Sequence, residues 1–237
     1  MAPFRFPLLP VLRRAALGAV LAAAVGTAGA TGSFTVTPVR VELRGAQMSA
    51  SIEVVNRAST PSQLTLERFA WTASAEGETL TPTTDFVASP PLFDLEPGGR
   101  QVVRILLLRP VDPQRQLTYR LALQESPPAQ AQATASGIAT VLRMSLPIFV
   151  TPAGSAPSLQ WRRIDAPGGP ELEVFNRGTA TAQLVGVRSD GPQDIQGSGG
   201  YVLPGQVRRF RAPGLGRSVV VTLPGGSTQT IELDPPR

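Results

Sequence analysis

The chain contains no Cys, no His and no Lys; all 22 of its basic residues are Arg. Each absence removes a class of chemistry. Without His or Cys there is no Ser-His-Asp triad, no thiolate nucleophile, no disulfide and no His/Cys zinc site. Without Lys there is no Schiff-base amine and no Walker A lysine. Charged residues are few, at 16%, and aromatic residues make up only 5%. What is abundant is Gly and Pro, 23 and 24 of 237 residues, about a fifth of the chain against an average of roughly 12%. This composition points to a turn-rich β protein.

The N-terminus reads as a secretory signal peptide. Arg5, Arg13 and Arg14 precede an apolar stretch from Ala15 to Val25, and Ala28-Gly29-Ala30 is an A-x-A cleavage site. The apolar stretch is shorter than the ~20 residues of a membrane helix, so the expectation is cleavage after Ala30 and no membrane insertion afterwards. Removing residues 1–30 takes away three Arg and no acid, which lowers the formal charge from +5 to +2. No dense basic run with interleaved aromatics is present, so nucleic acid is not an expected partner.

The remainder alternates apolar and polar residues with period two. Val39, Val41 and Leu43 do so first, then Ile52 and Val54, then Leu64 and Leu66, and later Leu117, Tyr119, Leu121 and Leu123. Val102 to Leu108 is an apolar run broken only by Arg104. Gly/Pro turns separate the segments, so the predicted class is all-β, of the sandwich type. IEVVNRASTPSQL from Ile52 and LEVFNRGTATAQL from Leu172 share six of thirteen positions, and Leu-x-Pro-Gly at Leu95 is echoed by Leu-Pro-Gly at Leu203. The repeat predicts two similar domains, 31–152 and 153–237, with TPAGSAP from Thr151 to Pro157 as the linker.

One segment stands apart. From Gly137 to Val150, Ile138, Thr140, Leu142, Met144, Leu146 and Ile148 share one strand face. At this length it is about twice an ordinary strand. It reads either as a core strand covered on both sides or as an edge strand whose apolar row is kept for another protein. Pro147 near its end argues for an edge.

The ordered motifs VTPVRVEL, IEVVN, Trp71, LTPTTDFVASPPLFDLEPGGRQVVR, YRLALQESPP and SLPIFV, spanning Phe34 to Pro152, resemble the PapD-like periplasmic chaperones that assemble pili. That resemblance implies two immunoglobulin-like β-sandwiches set as an L. It implies a non-enzymatic, cofactor-free function in the periplasm: the last strand of the first domain is donated to a pilin or fimbrial subunit, which then passes to an outer-membrane usher. The donor residues would be Ile138, Thr140, Leu142 and Met144, with Leu146 and Ile148 continuing the row. The free chain could also cap that strand by self-association. Arg40 falls where the family anchors the subunit's C-terminal carboxylate. The usual second cation is replaced by Pro147, and the Leu-Pro-x-Phe ending resembles the archaic branch, for which Arg104 is the second candidate anchor.

Gln116 and Thr151 stand where the family places an interdomain ion pair, which implies that other contacts set the domain angle. Trp71 is expected in the core, Asn56 and Asn176 at turn backbone groups, and Asp190 and Asp194 in a loop without calcium-site spacing. Two other functions compete with the chaperone. A structural or adhesive fibre module would lack its own last strand or carry a polymerising extension. A carboxylate-pair glycosidase would need two facing acids, and none is marked.

Overall fold

The computed structural model describes residues 34–74, 77–126, 141–190 and 195–233; the expected signal peptide, Ile138, Thr140 and Asp194 lie outside them. The described residues are all-β, with no helix among them.

In the first part of the chain the strands are β1 (Phe34–Thr37), β2 (Val41–Arg44), β3 (Ser49–Asn56), β4 (Ser62–Ser74) and β5 (Gly77–Pro82). They continue with β6 (Phe86–Ser89), β7 (Leu92–Leu95), β8 (Arg100–Leu107), β9 (Leu117–Glu125) and β10 (Arg143–Thr151). One sheet has the order β1-β3-β8-β6. The other has the order β2-β10-β9-β4-β5, with β7 on β4. Alternation decides what each strand buries. On β8, Val103, Ile105 and Leu107 enter the core, whereas Val102 and Leu106 stay 47% and 44% exposed beside Arg104. The apolar run of the sequence is therefore half surface. Val54, Leu64, Leu121 and Val103 sit at the centre of the core between the two sheets.

The second part contains β11 (Leu159–Ala166), β12 (Gly169–Asn176), β13 (Ala182–Leu184), β14 (Gly186–Ser189), β15 (Gly200–Val202), β16 (Val207–Arg211), β17 (Ser218–Thr222) and β18 (Thr228–Glu232). They form sheets β11-β12-β16, β13-β15 and β14-β17-β18 around a separate core that includes Trp161, Leu172, Val174, Phe210 and Val219.

The sequence repeat has a structural cause. Asn56 is fully buried, and its side-chain NH2 donates to the carbonyls of Thr60 (2.8 Å) and Leu95 (3.0 Å) while its oxygen accepts the Ala58 N–H. Asn176 does the same 120 residues later, donating to Ala180 and Val202 and accepting from Gly178 and Ser158. The Leu-x-Pro-Gly echo completes each unit. The N–H groups of Gly98 and Gly205 donate to the Asn56 and Asn176 carbonyls, and both glycines have positive φ (72° and 76°), a region that favours Gly. Each Asn thus satisfies buried backbone groups that water cannot reach. Asp190 is a similar tie, accepting the N–H groups of Arg217 and Ser218.

Two of the carboxylates paired with Arg are partly shielded from water and illustrate the balance. Burial alone would raise the Glu173 pKa, but hydrogen bonds from Arg162 and Arg209 outweigh it and hold the carboxyl below its ordinary value. Asp85 behaves alike: burial pushes it up, and hydrogen bonds from Arg109 (3.0 Å) and the Tyr119 hydroxyl (2.8 Å) bring it below.

Asn176→Ala leaves two carbonyls and two N–H groups without their side-chain partner and should destabilise the protein by about 3 kcal/mol in urea denaturation. Because folding depresses both carboxylate pKa values, their stabilisation is complete above the ordinary carboxylate range and is lost as pH falls through the folded values. With no His, Cys or Lys side chain to titrate, Tm measured by circular dichroism should be flat from about pH 5 to 9 and fall below about pH 4.

Candidate functional site

The site is built on β10. Its ladder with β9 runs from Arg143↔Gln124 to Val150↔Leu117. The parallel pairing with β2 covers only Ile148 to Thr151. Among the described residues, the β10 edge from Arg143 to Pro147 therefore has no strand partner on the side away from β9. Antiparallel ladders alternate hydrogen-bonded and non-bonded pairs. The Glu125 N–H donates to the Leu142 carbonyl at 2.9 Å, so the even residues bond β9 and the odd residues turn their backbone groups to the open edge. Pro147 is odd. Its missing N–H costs the β9 ladder nothing, and it sits where the open edge ends and the β2 pairing begins.

Side chains on the even face point into the first core, and their depth changes along the strand. Leu146 and Ile148 are each 1% exposed and lie within that core. These two residues, expected to continue the donor row, are covered by the core of the first sandwich. Met144 is half-buried against the core, and with Leu142 it lines a shallow apolar depression with Phe34, Val36, Leu64 and Leu123. The strand is buried core from Leu146 onward, and among the described residues its edge is unpaired up to Pro147.

The candidate anchors are not brought together. Arg104 projects from the outer face of β8, exposed, opposite Ser51 on β3 and Ser89 on β6, and has no ion-pair partner among the described residues. Arg40 precedes β2 and is committed. It donates to Glu42, which Arg44 also contacts, and to Gln183 Oε1 (2.9 Å), and it lies 4.7 Å from the Phe149 ring centroid.

Arg40 belongs to a seam between the two cores. Trp71, Phe149 and Leu203 form a small third core with Tyr201 against it. Trp71 is thus buried at this junction rather than inside the sandwich. Trp71–Tyr201 and Phe149–Tyr201 ring centroids lie 5.7 Å and 5.3 Å apart. Arg120 stacks on Trp71 at 3.7 Å and faces Glu78 at 3.7 Å. Burial lowers the Arg120 pKa, with Glu78 and Tyr201 acting in the opposite direction; Arg nevertheless stays charged.

Sequence reasoning marked Gln116 only as standing where an ion pair is replaced and did not foresee its contacts. It is 6% exposed; its N–H donates to the Thr179 carbonyl (2.8 Å), its Nε2 to Thr151 Oγ1 (2.6 Å), and its Oε1 accepts the Thr181 N–H (2.9 Å). The two residues that stand in for an ion pair do meet, as a neutral hydrogen bond. The available signal was Gln116 itself, an amide able to donate and accept at once.

Gln116→Ala should cost about 2 kcal/mol by stranding the Thr181 N–H. The loss should be nearly the same at roughly 0.05 M and 1 M salt, since no charge pair is broken there; urea denaturation at both salt concentrations checks it.

The family model for "Pili and flagellar-assembly chaperone, PapD N-terminal domain" matches residues 33–156. The chaperone protein FaeE of Escherichia coli is 33% identical over 138 residues, 58% of this chain and 50% of FaeE. The chaperone protein LpfB of Salmonella typhimurium strain LT2 is 30% identical over 125 residues, 52% of this chain and 51% of LpfB. The chain spans about half the length of the curated relatives it matches. A chain of the CsuC–CsuE chaperone–tip adhesion subunit complex from archaic pili of Acinetobacter baumannii superposes with TM-score 0.69 at 18% identity, over 85% of this chain and 98% of that one. A chain of the Salmonella enterica SafA pilin–SafB chaperone complex does so with TM-score 0.66 at 19% identity, over 85% and 96%. These two likenesses establish the shared fold, and with the family model covering just over half of its length the chain belongs to the PapD-like family of pilus-assembly chaperones.

Proposed function

We propose that the protein is a periplasmic chaperone, of two domains divided near residue 152 and freed of residues 1–30, that holds pilin or fimbrial subunits for an outer-membrane usher. It does so by lending β10 to the subunit's sheet. The observation that carries this reading is the open edge from Arg143 to Pro147, beside the half-open row of Leu142 and Met144.

A subunit strand paired to that edge would gain main-chain hydrogen bonds, while alternate side chains enter a shared interior. Ile138 and Thr140 would extend the row upstream. At ~1.5–3 kcal/mol for each apolar side chain fully buried, a few such contacts outweigh one ion pair. Arg104, exposed and without an ion-pair partner among the described residues, is the better candidate to receive the subunit's C-terminal carboxylate, which suits an arginine fork. Arg40 serves mainly the seam. The reading needs no catalytic step. A fibre subunit would be short of its own last strand, whereas β10 completes this sandwich by pairing with both β9 and β2.

The test is periplasmic co-expression with the secreted β-rich subunits encoded alongside, followed by co-purification. Wild type should capture a subunit one-to-one, and Leu142→Asp, still folded by circular dichroism, should lose it. Arg104→Ala should weaken capture roughly ten- to a hundredfold and reduce its salt sensitivity, while Arg40→Ala should chiefly lower Tm. Capture by Leu142→Asp equal to wild type would reject strand lending and favour a structural module.

A further inference from the structure

Glu125, the last residue of β9, is only 4% exposed, yet no guanidinium pairs with it among the described residues. Arg143, one step along the facing strand, turns instead to Glu67 at 2.9 Å. The connection that follows Glu125, residues 127–140, contains no basic residue. A carboxylate removed from water without a counter-cation is costly unless hydrogen bonds satisfy it, so what it binds shows why it is there. One oxygen accepts the Ser62 hydroxyl at 2.7 Å. The other accepts the main-chain N–H of Leu142 at 3.3 Å. The next residue, Ser126, donates its own N–H to the Gln63 carbonyl at 2.9 Å. One side chain thus ties the start of β4, the end of β9 and the residue before β10.

The contact with Leu142 is unusual for a ladder. An antiparallel hydrogen-bonded pair exchanges two main-chain bonds. Here the Glu125 N–H reaches the Leu142 carbonyl, but the Leu142 N–H goes to the side-chain carboxylate. The ladder ends at that point because a side chain has taken the place of a main-chain acceptor.

We infer that Glu125 is a positioning residue for subunit capture: by holding the Leu142 N–H it sets where β10 parts from β9. It thereby presents the Arg143–Pro147 edge and the Leu142–Met144 row in a single register. The inference rests on the strand-lending reading.

Two variants separate register from charge and from bulk. Glu125→Gln keeps an oxygen for Leu142 and a donor for Ser62; Glu125→Leu keeps the size and loses both. In the free full-length protein, Glu125→Leu should speed amide exchange at Leu142 to Met144 at least roughly tenfold, the factor that about 1.4 kcal/mol produces. With the co-expressed subunit it should reduce capture by a similar factor while Tm shifts by only a few degrees. Glu125→Gln should restore both readouts.

Capture by Glu125→Leu at the wild-type level would overturn the inference. So would a Glu125→Gln variant as defective as Glu125→Leu, since charge rather than register would then be at work. If Glu125→Leu does not fold, Ser62→Ala removes one tie without creating a cavity of any size. It should raise Leu142 exchange and weaken capture, and no change in either would overturn the inference. Leu142→Asp run in parallel separates the two levels: if it captures normally, strand lending itself fails; if it does not and Glu125→Leu does, only the role of Glu125 fails.

Discussion

The two hydrogen-bonding edges of β10 constrain everything around them. Every main-chain N–H and C=O taken from water needs a partner, and β10 meets that need on one side along its length through β9. On the other side it meets it only from Ile148 onward, through β2. The remaining five-residue edge is the sort of template that proteins usually blunt. Here the blunting is minimal. Pro147 removes one donor at the inner limit, and Arg143 places a charge at the outer one. Side-chain depth changes near the same point: Leu146, two residues before the β2 pairing begins, and Ile148, within it, are sealed in the core, while Leu142 and Met144 remain half-open.

The seam between the cores shows how a chain without Lys or His builds a junction. A guanidinium is planar and weakly hydrated, so it can lie flat on an aromatic ring, where an ammonium would stay solvated. Arg120 on Trp71 and Arg40 on Phe149 use that property at either end of the ring cluster. Beside them Gln116 makes three neutral hydrogen bonds. A buried ion pair would have to offset the desolvation of two charges; an amide that donates and accepts avoids that cost and is indifferent to salt and pH.

Much of the fold was legible because its signals are local. Period-two alternation marks strands, and the repeated Val-x-Asn-Arg turns carry the Asn56 and Asn176 networks that the structure displays in both halves. The site was only partly legible. Alternation assigns Leu142, Met144, Leu146 and Ile148 to one face, but says nothing of depth, which depends on where β2 begins to pair. The seam contacts of Arg40 were not legible, because its partners include Gln183, 143 residues away. The contacts of Gln116 and Glu125 left no pattern: each acts through single hydrogen bonds to residues made neighbours only by the fold.

The same inventory bears on how a captured subunit would be released. The chain has no His imidazole, no thiol and no Walker A lysine, so the commonest proton, disulfide and P-loop triggers are not built into it. Release would then come from competition at the lent strand itself. The geometry suits that route. Leu146 and Ile148 are buried in the first sandwich, so on the strand-lending reading the row open to a subunit would run through Met144 and what precedes it. A short row of partly buried side chains holds a subunit through a few contacts, each of limited strength. A competing strand that fills the same pockets more completely can displace it, whereas a row extending through Ile148 would have coupled release of the subunit to unfolding of the chaperone.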